Sequence, residues 1–427
     1  MSEFIKLFKK IIFILFGSIL LGGVLLTIVY ILPVNTMEDH VTSSINIFVT
    51  ESVYPQQIQG YKTTQLDNET DAIMLLGAIY ENKELNPLQK AMAVPHATLE
   101  GVSSLCITLK NILWDRQEAD GFSYYDRYWH GYMLYLKPLL LVMDYGDIRM
   151  FNMIIQLNLL LLLSVEMVKK KLHIYIPALI LTLAVLNPTA ISMSLQFSAI
   201  YYIILISLII LLRYKDILIK DDKLYIFFLM IGIAVAYFDF LTYPVAAFGI
   251  PAILTMIIYD GNWKEKIKTV ILLGICWVIG YLGMWAGKWV ISSIVLNKNV
   301  FVEAFSRITV HSSETYMEGV NIGAFGALWK NVKVLLKWPY FLMGFFFLVY
   351  YLRKIVCNFK FTGLIQCTPF VIICFIPCIW IMILSSHSAW CYWYTYRNLS
   401  ASVFSVSVIV CRMANSKREL PLESQAM

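Results

Sequence analysis

Long apolar runs, broken at intervals by short basic clusters, dominate the chain. The first, IIFILFGSILLGGVLLTIVYILPV from Ile11 to Val34, follows Lys6, Lys9 and Lys10 and is long enough to cross a bilayer. A signal-peptide core is shorter, about 7 to 15 residues, and ends at a small-residue cleavage site, so this run reads as a retained anchor. Further runs predict spans near 149–168, 172–187, 198–212, 224–237, 243–259, 269–295, 334–352, 363–385 and 398–412, which makes ten. Several fall short of the roughly 20 residues that a perpendicular helix needs. The expected fold class is an all-α polytopic membrane protein, a single integral membrane domain over residues 1–427.

Lys and Arg set the expected orientation. With an inside N-terminus, the cytoplasmic segments hold Lys169 to Lys171, Arg213 and Lys215, Lys264 to Lys268, Arg353 and Lys354, and the stretch from Arg412 to Arg418. The short outer turns NPTAISMSLQF and FDFLTY hold none, the asymmetry that the positive-inside rule describes, and both termini fall in the cytoplasm. The anchor then covers 1–34, a large outer segment 35–148, spans two to seven 149–295, a second outer segment 296–333, and spans eight to ten with a cytoplasmic tail 334–427. The 35–148 segment is expected to carry two juxtamembrane helices, near 69–82 and 130–143. The second, GYMLYLKPLLLVM, is too short to span and has Lys137 and Pro138 in its middle, so it fits an interfacial position.

Composition supports this class: 59% of residues are hydrophobic and only 15% charged. The net charge of +6 lies in the clusters between apolar runs, and no basic stripe carries interleaved aromatics, so nucleic acid is not an expected partner. The eight cysteines sit mostly in or beside apolar runs, as small hydrophobes do, and show no zinc spacing.

Against this background the stretch QLDNETDAIMLL stands out, with Asp67, Glu69 and Asp71 directly before a greasy segment. Asp67 and Asp71 share a helical face and Glu69 points away, while Ala72, Leu75, Leu76 and Ile79 keep helical spacing. An amphipathic helix lying on the membrane with its acidic start in water is the expectation. Capping explains one acid at a helix start; three in five residues repel one another and point to a site. The sequence NET also fits a glycosylation sequon, a pattern common by chance.

Cations lie in two aromatic stretches. FSYYDRYWHGY holds Asp126, Arg127, Tyr128, Trp129 and His130, and SSHSAWCYWYTYRNLS holds His387 and Arg397. An aromatic belt with snorkelling cations is the ordinary reading of either, whereas Arg also suits planar recognition of phosphate oxygens. Asp239 in YFDFLTYP falls at the bilayer edge, where a carboxylate is costly unless paired or at a polar cavity. Arg307 and His311 in the second outer segment add further cations. The expected topology puts all these groups on one side of the membrane.

The order of parts resembles the type-C glycosyltransferases, integral membrane enzymes that use a polyprenyl-phosphate-linked sugar. The resemblance lies in LDNETDAIML, YWHGYMLYLKPLLLVM, DYGDIR and the run from Ile154 to Lys171, and covers about residues 10 to 175. TDAIML, RYWHGY, FDFLT and TYR are also similar to segments of predicted bacterial surface-polysaccharide glycosyltransferases. The second helix lacks the Pro-Pro pair of the mannosyltransferases, and SLQFS stands where relatives often carry an acid.

The resemblance implies inverting transfer of a sugar from a polyprenyl-phosphate donor to a hydroxyl of an extracytoplasmic glycan or lipid-linked acceptor, at the outer face of a bacterial plasma membrane. Asp71 or Asp67, with Glu69 beside them, would supply the general base. Arg127, His130, Arg397 and His387 would hold donor phosphate, and Asp239, Asp126, Trp129 and Tyr128 the acceptor or sugar. The Asp67 and Asp71 pair could also hold a divalent cation, although two carboxylates define no metal site. A carrier or flippase for a lipid-linked sugar, or a polysaccharide polymerase, is the alternative. A carrier would place charges at mid-membrane and show repeat symmetry.

Overall fold

The computed structural model describes residues 2–81, 84–313, 321–358 and 361–415. After the long helix α1 (Ser2–Val29) come six shorter ones: α2 (Asn35–Ser43), α3 (Ile45–Glu51), α4 (Asn68–Ala78), α5 (Pro87–Ala93), α6 (Leu105–Leu113) and α7 (Met133–Leu140). The central run is α8 (Tyr145–Lys169), α9 (Ile176–Leu186), α10 (Pro188–Met193), α11 (Leu195–Arg213), α12 (Lys215–Leu218), α13 (Lys223–Phe238), α14 (Ala246–Ile258) and α15 (Trp263–Leu296). There follow α16 (Val300–Ser312), α17 (Gly323–Leu335), α18 (Trp338–Asn358), α19 (Phe361–Gln366), α20 (Thr368–Ile383), α21 (Ser385–Trp390), α22 (Tyr392–Thr395) and α23 (Ser400–Asn415). One small antiparallel pair, β1 (His96–Thr98) with β2 (Gly121–Ser123), sets His96 opposite Ser123.

Every expected span coincides with a helix. Five are long and apolar enough to cross a membrane: Ile5–Val29, Tyr145–Lys169, Leu195–Arg213, Trp263–Leu296 and Trp338–Asn358. Four more, His173–Leu186, Lys223–Phe238, Ala246–Ile258 and Thr368–Ile383, are apolar but shorter, at 10–17 residues. Part of the last basic cluster, Lys417 and Arg418, and positions 82–83 and 314–320 of the outer segments lie outside the described residues.

The 35–148 segment differs from expectation. Helix α4 does not lie on a surface with its acids in water; Asn68, Asp71, Ala72 and nearly all that follow are buried, enclosed by α6, α7, β1 and α11. Helix α7 likewise buries Met133, Leu136, Lys137 and Leu140, and the Lys137 ammonium donates to the Ala78 carbonyl at the end of α4. Burial holds Lys137 down to about 8. A period-3.6 apolar pattern marks a buried face but cannot say whether protein or lipid covers it.

Helices α13 and α15 form the tightest pair, and glycine makes it so. A Cβ on Gly232 would stand 2.1 Å from the Trp277 carbonyl oxygen, and one on Gly280 2.3 Å from that of Leu229. Small residues let helix backbones approach and gain packing where no hydrophobic drive operates between apolar helices.

Candidate functional site

Asp67, Glu69 and Asp71 serve three different helices. Asp67 is the N-cap of α4 itself, where its Oδ1 accepts the Thr70 N–H at 3.0 Å. Glu69 reaches across to α6, accepting the Ser104 hydroxyl at 2.9 Å and the Leu105 N–H at 2.8 Å. Asp71 caps α11: its carboxylate accepts the N–H groups of Leu195 and Gln196 at 3.0 and 3.2 Å together with the Tyr145 hydroxyl. Neither Ser104 nor Ser194, the residues in N-cap position, caps its own helix, so the acids supply what those helix starts lack.

This ranks the acids by availability. Asp71 is 0% exposed and both its oxygens accept hydrogen bonds, while burial raises its carboxyl to about 6. Glu69 is likewise occupied on both oxygens. Asp67, 3% exposed, is pushed up to about 7 by burial and the adjacent Asp71, against the Thr70 amide.

In FSYYDRYWHGY the residues divide between joinery and wall. Trp129 is fully buried and donates its indole N–H to the Met284 carbonyl at 2.7 Å, pinning the turn to α15. Gly131 docks against the end of α13: its N–H meets the Tyr237 carbonyl at 2.8 Å, and a Cβ there would stand 2.6 Å from that oxygen. His130 has both ring nitrogens engaged. Its ring lies between the Tyr125 carbonyl at 2.8 Å and the Tyr132 hydroxyl at 3.0 Å, and burial drives it far down into the neutral form. Asp126, expected at the acceptor, instead pairs with Lys298 at 2.8 Å.

Arg397 binds backbone carbonyls. It is fully buried and donates to the carbonyls of Leu186, Trp393 and Thr63 at 2.9, 3.3 and 3.3 Å, tying α9 and the 35–148 segment to the chain before α23. Asp239 folds back on its own turn, accepting the Thr242 N–H at 2.9 Å and the Thr242 hydroxyl, while burial raises it to about 7. His387 contacts the Leu241 carbonyl at 3.0 Å and packs on His311 with ring centroids 4.9 Å apart. Burial and His311 hold His387 down to about 3; burial with Arg127 and Arg307 holds His311 at about 4.

Tyr128 and Arg127 open onto a cavity of about 390 Å³ between α15, α16 and α20. Its wall includes Tyr281, Trp285 and Trp289 on one face of α15, Phe305 of α16 and Trp380 of α20, and its polar residues are Arg127, Arg307 and His311. Exposed Leu282 and Phe305 mark its mouth on the apolar flank of the bundle. Arg127 is held by Glu303 at 2.8 Å and lies over the Tyr125 ring at 4.4 Å; Glu303 also meets Lys298 at 3.3 Å. Among the described residues Arg307 has no acidic partner. The sequence carries a sign of this wall: Tyr281, Trp285 and Trp289 recur every fourth residue, which is one helical face.

The other unforeseen group is Arg149, in DYGDIR. It joins Glu51 at 2.7 Å and Asn68 at 2.9 Å over the Tyr145 ring, fixing the start of α4 against α8. Among the described residues no group of three or more His, Cys, Asp or Glu side chains could hold a metal ion.

Fold and site together define an α-helical protein with the long apolar helices of a membrane protein and a lateral aromatic groove ending in cations. No protein-family model, curated protein or solved structure matches the chain.

Proposed function

We propose that the protein is a membrane glycosyltransferase that moves a sugar, with inversion, from a polyprenyl-phosphate-linked donor to a hydroxyl of an extracytoplasmic glycan or lipid-linked acceptor. The observation that carries this reading is the groove: an isoprenoid chain needs an apolar wall reached from the side, and its phosphate needs Arg127 and Arg307 where the wall ends. His311, neutral before phosphate arrives, can donate an N–H there.

Asp67 replaces Asp71 as the base of this reading, because it keeps an oxygen outside the cap bond and its pKa lies near the working pH. The acceptor oxygen bonds to the anomeric carbon, the bond from that carbon to the phosphate oxygen breaks with its electron pair, and the acceptor proton passes to Asp67. A positioned base contributes about 10²- to 10⁴-fold. The arginines meet the charge that grows on the departing phosphate.

The ten-span arrangement with both termini in the cytoplasm of a bacterium, and the site outside, belongs to the same proposal. It is supported by α8, which runs from the Asp71 contact at Tyr145 to the basic stretch Lys169 to Lys171 at its far end. A carrier would bring charge to mid-span. Lys288, well inside α15, is tied to the Ala91 and Met92 carbonyls at 3.1 and 3.0 Å.

The test is transfer from a radiolabelled polyprenyl-phosphate sugar by purified protein in lipid. Asp67→Asn should lower kcat at least about 100-fold, and Arg307→Gln should raise the donor KM. Turnover by Asp67→Asn equal to that of the unaltered protein overturns the reading.

A further inference from the structure

A second amphipathic site lies on another flank of the bundle. Between α9, α18 and α23 runs an apolar cavity of about 310 Å³. Exposed Leu348 and Val406 stand at its edge, and Val185, Leu335 and Val403 form its inner wall. Beyond Leu335 it borders a cleft of about 400 Å³ of opposite character, whose charged lining among the described residues is Lys62, Lys330, Lys333 and Lys337. The two share a wall: Val185, Leu335 and Val403 of the apolar cavity pack with Val334 and Tyr392 of the cleft. Tyr340 of the first donates its hydroxyl to Thr63 of the second at 2.7 Å. Lys333 and Lys337 have no acidic partner among the described residues.

Like charges gather only at a cost unless an anion offsets it, and these lysines stand at the end of the molecule that carries the 35–148 segment, away from the other basic clusters. Lysine ammonium groups hold phosphate as point charges. We propose that this site seats the acceptor as a polyprenyl-diphosphate-linked sugar, chain in the α9–α18–α23 cavity and diphosphate among the lysines, so that both substrates are lipid-borne and enter from different flanks.

Lys333 and Lys337, with Lys62 and Lys330 beside them, suit the more highly charged head. The segment between the sites is α22: Tyr392 lines the lysine cleft, Trp393 meets Tyr54 at 5.4 Å, and Tyr394 packs against His387 at 6.1 Å. A diphosphate at the lysines would present its sugar along this segment.

This inference rests on the glycosyltransferase reading, and the two are separable by experiment. The full chain is placed in phosphatidylcholine nanodiscs and titrated with a long-chain polyprenyl diphosphate and, separately, with the monophosphate, with bound lipid counted by native mass spectrometry. The double variant Lys333→Gln, Lys337→Gln should weaken diphosphate binding about tenfold or more, a loss of two charge-assisted contacts, and leave monophosphate binding unchanged. Arg307→Gln should do the reverse. Both changes fall on exposed side chains, and an unaltered melting temperature checks that the fold survives. Unchanged diphosphate binding in the lysine variant overturns the proposal. So does displacement of the diphosphate by phosphatidylglycerol at equal concentration, which marks an ordinary headgroup site, or equal affinity for inorganic pyrophosphate, which leaves the apolar cavity no part. Loss of diphosphate binding with no effect of Arg307→Gln on the monophosphate sinks the donor groove and spares the second site.

Discussion

Asp67, Glu69 and Asp71 stand within five residues, and their distinct partners give each a distinct expected phenotype on change to the isosteric amide. Glu69→Gln keeps an acceptor oxygen for α6 but loses the charge at its N-terminus, which should cost about 1 kcal/mol in thermal denaturation and leave turnover intact. Asp71→Asn replaces an acceptor oxygen with a donor nitrogen inside a ring of three donors, so one donor loses its acceptor in the core. That should cost about 1–3 kcal/mol and show as a lowered melting temperature or lost expression. Asp67→Asn should fold and fail to turn over. The pH profile follows from the same residue: a carboxyl raised to about 7 keeps its proton below that pH. The base form is then scarce in acid, and kcat/KM should climb about tenfold per pH unit before levelling above about 7. A profile flat from pH 5 to 8 would remove Asp67 from that role.

At the level of elements, two close approaches carry the site. The turn before α7 meets the end of α13 through Gly131, and α13 meets α15 through Gly232 and Gly280. Gly232→Val forces side-chain atoms into the Trp277 carbonyl, so the two helices must separate. Overpacking of this kind costs about 1–3 kcal/mol or more, read as earlier aggregation in a thermal ramp followed by size exclusion. Gly131→Ala should act locally, shifting the Tyr128 and Arg127 wall of the groove, so the donor KM should rise more than stability falls. The helices themselves were legible because apolar runs bounded by basic clusters have few other solutions. Their surroundings were not. The period of α4 showed a buried face, and only the neighbours α6, α7 and α11 show that protein encloses it.

For the whole molecule, the proposed membrane arrangement predicts opposite faces for the two ends of α8. Single cysteines at Ser43, beside the start of that helix, and at Lys170, at its end, should react with an impermeant thiol reagent from opposite sides of the membrane. Labelling of both from one side would overturn the arrangement. The sequence by itself determined a predominantly helical chain, the positions of its apolar helices, and which stretches are rich in acids, cations and aromatics, because these follow from local composition and periodicity. The tertiary structure alone decided which of those groups are free. Asp71 and Arg397 look like site residues in one dimension, yet partners as far as 125 and 334 positions away engage them. Arg307, ordinary in the sequence, meets the aromatic face of α15 in a groove that neither helix makes alone. A charged side chain's availability depends on what reaches it through space, and chain order does not encode that distance.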